Sequence, residues 1–215
     1  QMLITRGVSI AVHIGSVGSV NEARFDALNV STSEFDKIAA NGFPVLDWQA
    51  GEKMLAEIEC ARADADSIGG TIECAAVGLP AGLGDALFGG LEGRMSMALF
   101  GVPAVKGVEF GNGFDCPTLR GSQNNDPFVI ENGKIKTLTN NAGGILGGIT
   151  TGMPLIFKVA IKPTPSIGKP QQSVSLSRME NSELVIKGRH DPCIVPRAVP
   201  VIEAAAALAL LDVML

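Results

Sequence analysis

Arg189, His190 and Asp191 put a permanent cation, an imidazole and a carboxylate into three successive residues, and Pro192 restricts the chain direction just after them. An arginine in such a run can grip a phosphate through two parallel N–H bonds, while the carboxylate or imidazole can hold or move a proton. The same residues would also suit a helix start, with Asp191 as cap and Pro192 at the first helical position. A second set is Lys162-Pro163-Thr164-Pro165-Ser166, a cation and two hydroxyls on a backbone stiffened by two prolines. It fits a phosphate or a ribityl chain, and equally an ordinary strand exit with a surface lysine. In a third set, Asn140 to Gly148, the glycines at 143, 144, 147 and 148 expose backbone amides and leave room for a flat or phosphorylated ligand, or simply pack. No Lys-Ser/Thr follows the last glycine pair and no GxGxxG register follows a strand, so this is neither a Walker loop nor a dinucleotide fingerprint. His13 stands in an apolar run and reads as a packed or surface histidine rather than a ligand.

The composition narrows what these residues can serve. Of 215 residues, 46% are hydrophobic and 18% charged, which excludes a chain too polar to collapse. The net charge of −5 gives no electrostatic reason to bind nucleic acid. The charge is uneven: residues 1–130 hold 8 Lys+Arg against 16 Asp+Glu, whereas residues 131–215 hold 9 against 6. An anionic ligand is therefore expected on the second part. Cys60, Cys74, Cys116 and Cys193 form no CxxC pair, which argues against a zinc or redox motif and fits a reducing, cytoplasmic setting. The apolar run from Val199 to Leu215 is broken by Glu203 and Asp212, so it reads as a buried helix rather than a membrane span. The chain opens on Gln1 with no signal-peptide pattern, and a chain cut at its start is expected.

The elements that must position these residues follow from spacing. Alternating Val8, Ile10, Val12 and Ile14 predict a strand within Gly7 to Val20. Ser31-Thr32-Ser33-Glu34 has capping-box spacing ahead of a short helix to Ala40. A longer helix is expected over Ala50 to Ala65, stopped by Gly69-Gly70. Strands are expected at Thr71 to Val77, Val105 to Phe110 and Leu155 to Ile161, and a helix at Asp85 to Phe100. Asn132-Gly133 predicts a hairpin turn within Phe128 to Thr139. Residues 111–126 read as a long loop, and 162–188 as strand exit and polar loop.

Six segments stand in a fixed order along the chain: Asp66 to Gly70, Pro103 to Glu109, Gly121 to Asp126, Asn141 through Gly152, Lys162 to Ser166, and Gly188 to Cys193. Together they resemble the chorismate synthase family over nearly the whole length. The resemblance implies an α/β (α+β) fold: a β-α-β sandwich with central helices between antiparallel sheets. It implies a single domain over residues 1–215, lacking the family's amino-terminal portion, and assembly as a homotetramer. The implied activity is that of a carbon–oxygen lyase of aromatic amino acid biosynthesis through the shikimate pathway. Its substrate would be 5-enolpyruvylshikimate 3-phosphate, which loses phosphate by 1,4-elimination to give chorismate, with reduced FMN as required cofactor.

By position, Pro103, Ala104, Gly147, Lys162, Pro163, Thr164, Pro165, Ser166 and Arg189 match the family's FMN-contacting segments. Asp191 matches the carboxylate proposed to assist proton handling at the flavin N5. Many members carry Asn where Pro103 stands, so only a backbone contact carries over there. No metal, membrane or nucleic-acid partner is implied. Loop 111–126 would serve as a cover that excludes water. The family's Ser-His-Gly motif, a second catalytic histidine and several phosphate-holding arginines are expected outside this chain, so the resemblance implies a piece without turnover of its own. The alternative is a non-catalytic core that packs and oligomerises.

Overall fold

The computed structural model describes residues 1–215. In chain order the elements are β1 Ser9–Val17, β2 Val20–Asn21, α1 Thr32–Ala40, α2 Trp48–Ala63, β3 Gly70–Val77, α3 Leu91–Phe100, β4 Val105–Phe110 and α4 Gly121–Asn124. They continue with β5 Phe128–Glu131, β6 Lys134–Thr137, β7 Ile145–Leu146, β8 Ile149–Thr150, β9 Leu155–Ile161, β10 Gln171–Ser175, β11 Glu180–Leu184 and α5 Val195–Val213.

Alternation along the strands sorts side chains onto two faces of a five-stranded antiparallel sheet, ordered β2-β1-β3-β9-β4. One face presents Val12, Ile14, Ile72, Cys74, Leu155, Phe157 and Val159 to the helices. These meet Met54 and Ile58 of α2, Leu91, Met95 and Leu99 of α3, and Val199, Ile202, Ala206 and Leu210 of α5, all at three-and-four spacing. On the other face Ala11, Ala75 and Ile156 pack under Phe25 and Ile38. The mixed α/β architecture with antiparallel sheets is as expected, and no helix is long and apolar enough to cross a membrane.

The sequence-based elements are largely present, and the differences have local causes. The Ser31 capping box forms with both arms: the Ser31 hydroxyl accepts from the Ser33 N–H at 3.2 Å, and Glu34 accepts from the Ser31 N–H at 2.9 Å. Ser31→Ala is expected to cost about 1 kcal/mol, a fall of about 2–4 °C in Tm for a chain of this size; differential scanning calorimetry reads it directly. Helix α2 begins earlier than expected, because Asp47 caps it through the Gln49 N–H at 2.9 Å. It also ends earlier, with Ala65 in the left-handed region at φ 52°. Gly69 and Gly70 are therefore not its stop. Gly70 instead lets β3 approach β1, since a Cβ there would lie 1.9 Å from the Ser16 carbonyl oxygen.

The helix expected from Asp85 starts only at Leu91, because Leu87 sits at φ 55° and Gly90 is extended. Residues 111–126 are not a plain loop but two short helical turns, Gly113–Thr118 and α4. The stretch following Ser166 contains an unforeseen hairpin, β10–β11. Helix α5 begins at Val195 rather than at Pro192, so Asp191 is not its cap.

Candidate active site

Three strands end together at one edge of the molecule: Ile161 of β9 pairs with Gly70 of β3 on one side and with Val105 of β4 on the other. The segments flanking these ends are those singled out for their chemistry. Ala104 sits in the left-handed region at φ 74°, and its carbonyl accepts from the Lys162 N–H at 3.0 Å. The Ser67 hydroxyl donates to the Thr164 carbonyl at 2.6 Å, and the Ile68 N–H donates to the Pro192 carbonyl at 2.7 Å. A side chain at Gly69 would lie 2.4 Å from the Ile161 carbonyl oxygen and 2.9 Å from the Pro163 nitrogen, so only glycine permits this approach. Ser166 Oγ lies 2.9 Å from His190 Nδ1. Lys169 bridges Asp64 and Asp66. Its hydrogen bond, with the Ser67 N–H, holds the Asp66 carboxyl below the usual carboxylate range.

Pro103, Ala104, Lys162 to Ser166, Arg189 and Asp191 thus share one end of the sheet. Lys162 is half-buried, Arg189 is exposed, and neither belongs to an ion pair. Pro163 and Pro165 face solvent. The Thr164 hydroxyl is buried without a hydrogen-bond partner, which is costly unless another group satisfies it. Two cations outside any ion pair and an unsatisfied hydroxyl, on segments joined by the Ser166–His190 contact, are residue types suited to a phosphorylated ligand. Asp191 is engaged by the exposed Arg197, a partner that the sequence did not single out. Burial pushes the Cys193 thiol up, so it is no ready nucleophile.

Gly147 is not in this cluster. It lies in the β7–β8 turn, whose Gly148 carbonyl accepts from the Leu91 N–H at 2.9 Å at the start of α3. Ala104 follows the far end of that ten-residue helix, about 15 Å along its axis. The turns of residues 111–126 also sit at the Gly147 end. There Asp126 accepts from the Asn141 N–H at 2.7 Å and the Ala142 N–H at 2.9 Å.

A buried ionic cluster was not foreseen. His13 is fully buried, with Nε2 3.0 Å from Glu73 and Nδ1 3.1 Å from Glu22. Burial alone would lower its pKa, but the hydrogen bonds and charges of both glutamates more than reverse this and raise it to about 9. Glu73 also accepts from the Phe25 N–H at 2.9 Å, and the Phe25 ring meets the imidazole edge-on at 4.8 Å. His13, Glu73, Lys158 and Glu109 are register partners across β1, β3, β9 and β4, a row of alternating charge. The available signal was a glutamate inside the apolar run Ile72 to Val77. Beside the row lies a polar cleft of about 190 Å³. A second, more apolar cavity of about 720 Å³ runs along β1 between α1 and α5. Neither cavity includes the residues gathered around Lys162.

Comparison with known proteins gives one answer. A family model described as chorismate synthase matches residues 1–215. A chorismate synthase of Methanosarcina barkeri is 48% identical over 220 residues, covering 100% of this chain and 58% of that protein. One of Thermococcus gammatolerans is 56% identical over 166 residues, 77% of this chain and 47% of that protein. A crystal structure of chorismate synthase superposes with a TM-score of 0.80 at 27% identity, covering 99% of this chain and 58% of that one. The chain therefore spans about 58% of the length of relatives that it matches end to end. On the family match over all 215 residues, and on a fold shared with a solved member, the chain belongs to the chorismate synthase family.

Proposed function

We propose that these residues form the flavin-binding part of an enzyme that eliminates phosphate from 5-enolpyruvylshikimate 3-phosphate to give chorismate. The observation that carries this reading is the gathering of Ala104, Lys162 to Ser166 and Arg189 to Asp191 around two unpaired cations and the unsatisfied Thr164 hydroxyl. Lys162 and Arg189 attract and hold the anionic groups, and Thr164 supplies a buried hydroxyl. Pro163 and Pro165 keep the strand exit stiff, so that little order is lost on binding. Pro103 and Ala104 line the site through backbone. Asp191 holds or passes a proton once Arg197 yields to a ligand. These residues would hold reduced FMN, whose chemistry there would be to supply an electron transiently to the substrate as its C–O bond to phosphate breaks and to take it back as the ring hydrogen is removed, with no net redox change. Gly147 stands apart from this cluster within the chain.

Both histidines are committed to internal partners, His13 to two glutamates and His190 to Ser166 and Ile186. Neither is free to act as a general acid, so the 215 residues by themselves are expected to show no turnover. The test is a chimaera in which these residues replace the matched segment of the Methanosarcina barkeri protein. Chorismate formation with photoreduced FMN is expected, and at least about a hundredfold less with Asp191→Asn, the usual scale for losing a proton-transfer group. A folded chimaera without activity would sink the reading. A second reading, a core that mainly assembles a homotetramer in the cytoplasm, draws on the β5–β6 hairpin. That hairpin exposes Phe128, Ile130 and Ile135, with Ile130 opposite Ile135 across the two strands, an apolar face of the kind that marks a contact surface. A flavin fluorescence titration of the chain beside its sedimentation distinguishes the two: a tetramer that binds no flavin favours the second.

A further inference from the structure

The geometry points to His190 as a positioning residue that sets which way the Ser166 hydroxyl faces, an inference that rests on the flavin reading above. His190 Nε2 lies 2.9 Å from the Ile186 carbonyl oxygen, which can only accept. Nε2 therefore carries the ring proton, and in a neutral imidazole this leaves Nδ1 as a bare lone pair. Nδ1 is 2.9 Å from Ser166 Oγ, so the hydroxyl donates to it and has no proton left for a ligand. Ser166 presents an acceptor.

That orientation discriminates between the parts of a flavin nucleotide. The ring N3–H and the ribityl hydroxyls can donate to Ser166, whereas dianionic phosphate oxygens cannot. Phosphate recognition then falls to Lys162, Arg189 and the unpartnered Thr164 hydroxyl. The same bond joins two segments 24 residues apart in sequence, with Arg189 and Asp191 on either side of the imidazole it anchors. His190 thus acts through Ser166 and through its own neighbours, without touching the ligand.

Two measurements test this. The chain has only two histidines, so its ¹⁵N imidazole spectrum at mildly alkaline pH separates His190 from the doubly protonated His13. His190 is expected to show a protonated Nε2 and a bare Nδ1, and Ser166→Ala to move the Nδ1 signal while leaving Nε2 in place. A protonated Nδ1, or one indifferent to Ser166→Ala, overturns the inference whether or not flavin binds. In the chimaera, Ser166→Ala is expected to weaken FMN and riboflavin by the same factor, about tenfold for one lost hydrogen bond. A loss confined to FMN would place the hydroxyl on the phosphate and overturn it. If the unsubstituted chimaera binds neither flavin, the flavin reading fails, and the spectrum still decides the tautomer. Repeating the titration with 3-methylriboflavin assigns the donor: sensitivity to Ser166→Ala lost with that ligand marks the ring N3–H, and sensitivity kept marks a ribityl hydroxyl.

Discussion

Glu73→Ala is expected to lower the unfolding free energy by about 3–5 kcal/mol, the scale for removing one partner of a buried ion pair. The reason is geometric. Glu73 is 2% exposed and serves two donors, the His13 Nε2 and the Phe25 N–H. Without it the protonated imidazole keeps only Glu22, and the Phe25 amide is buried with no acceptor. At about 2–4 °C per kcal/mol for a chain of this length, Tm should fall by roughly 6–20 °C. Glu73→Gln, which retains an acceptor, should cost clearly less. If calorimetry finds Glu73→Ala within about 1 kcal/mol of the unsubstituted chain, the cluster does not anchor the sheet.

The same cluster makes stability depend on alkaline pH. His13 has its pKa raised from 6.5 to about 9 in the folded chain, so between these values the folded state binds a proton that the unfolded state does not. The contribution is fully present below pH 6.5. It falls by about 1.4 kcal/mol per unit as pH rises, and is gone above about pH 9, a total of about 3 kcal/mol. Urea denaturation at neutral and alkaline pH should show the midpoint dropping over this window. A His13→Gln chain should lack that drop. An equal drop in both would assign it to other groups. The consequence for structure is local: Glu22 and Phe25 belong to the segment leading to α1, so losing the His13 charge loosens the packing on that face of the sheet first.

Features within a few residues of one another were legible from sequence, because local chemistry decides them. The Ser31 capping box, the Asn132-Gly133 turn and the strand at Leu155 to Ile161 each follow from spacing alone. Where a boundary depends on a distant partner, spacing misleads. Gly69 and Gly70 have the sequence signature of a helix stop, yet their role is set by carbonyls of Ile161 and Ser16 on other strands. Likewise Asp191 and Pro192 have the signature of a helix start, but the chain there is drawn to Ile68 and Arg197 instead.

The residue types around Lys162 and Arg189, and their order, were set by the sequence alone, and with them the resemblance to a family. Which of these segments meet was decided only by the tertiary structure, since pairing of Ile161 with both Gly70 and Val105 aligns three strand ends. That alignment gathers Ala104, Thr164, Ser166 and Arg189 and leaves Gly147 beyond the far end of α3. It also turned an unremarkable His13 into a buried cation, because cross-strand register placed it opposite Glu73, and register is a property of paired strands rather than of either strand alone.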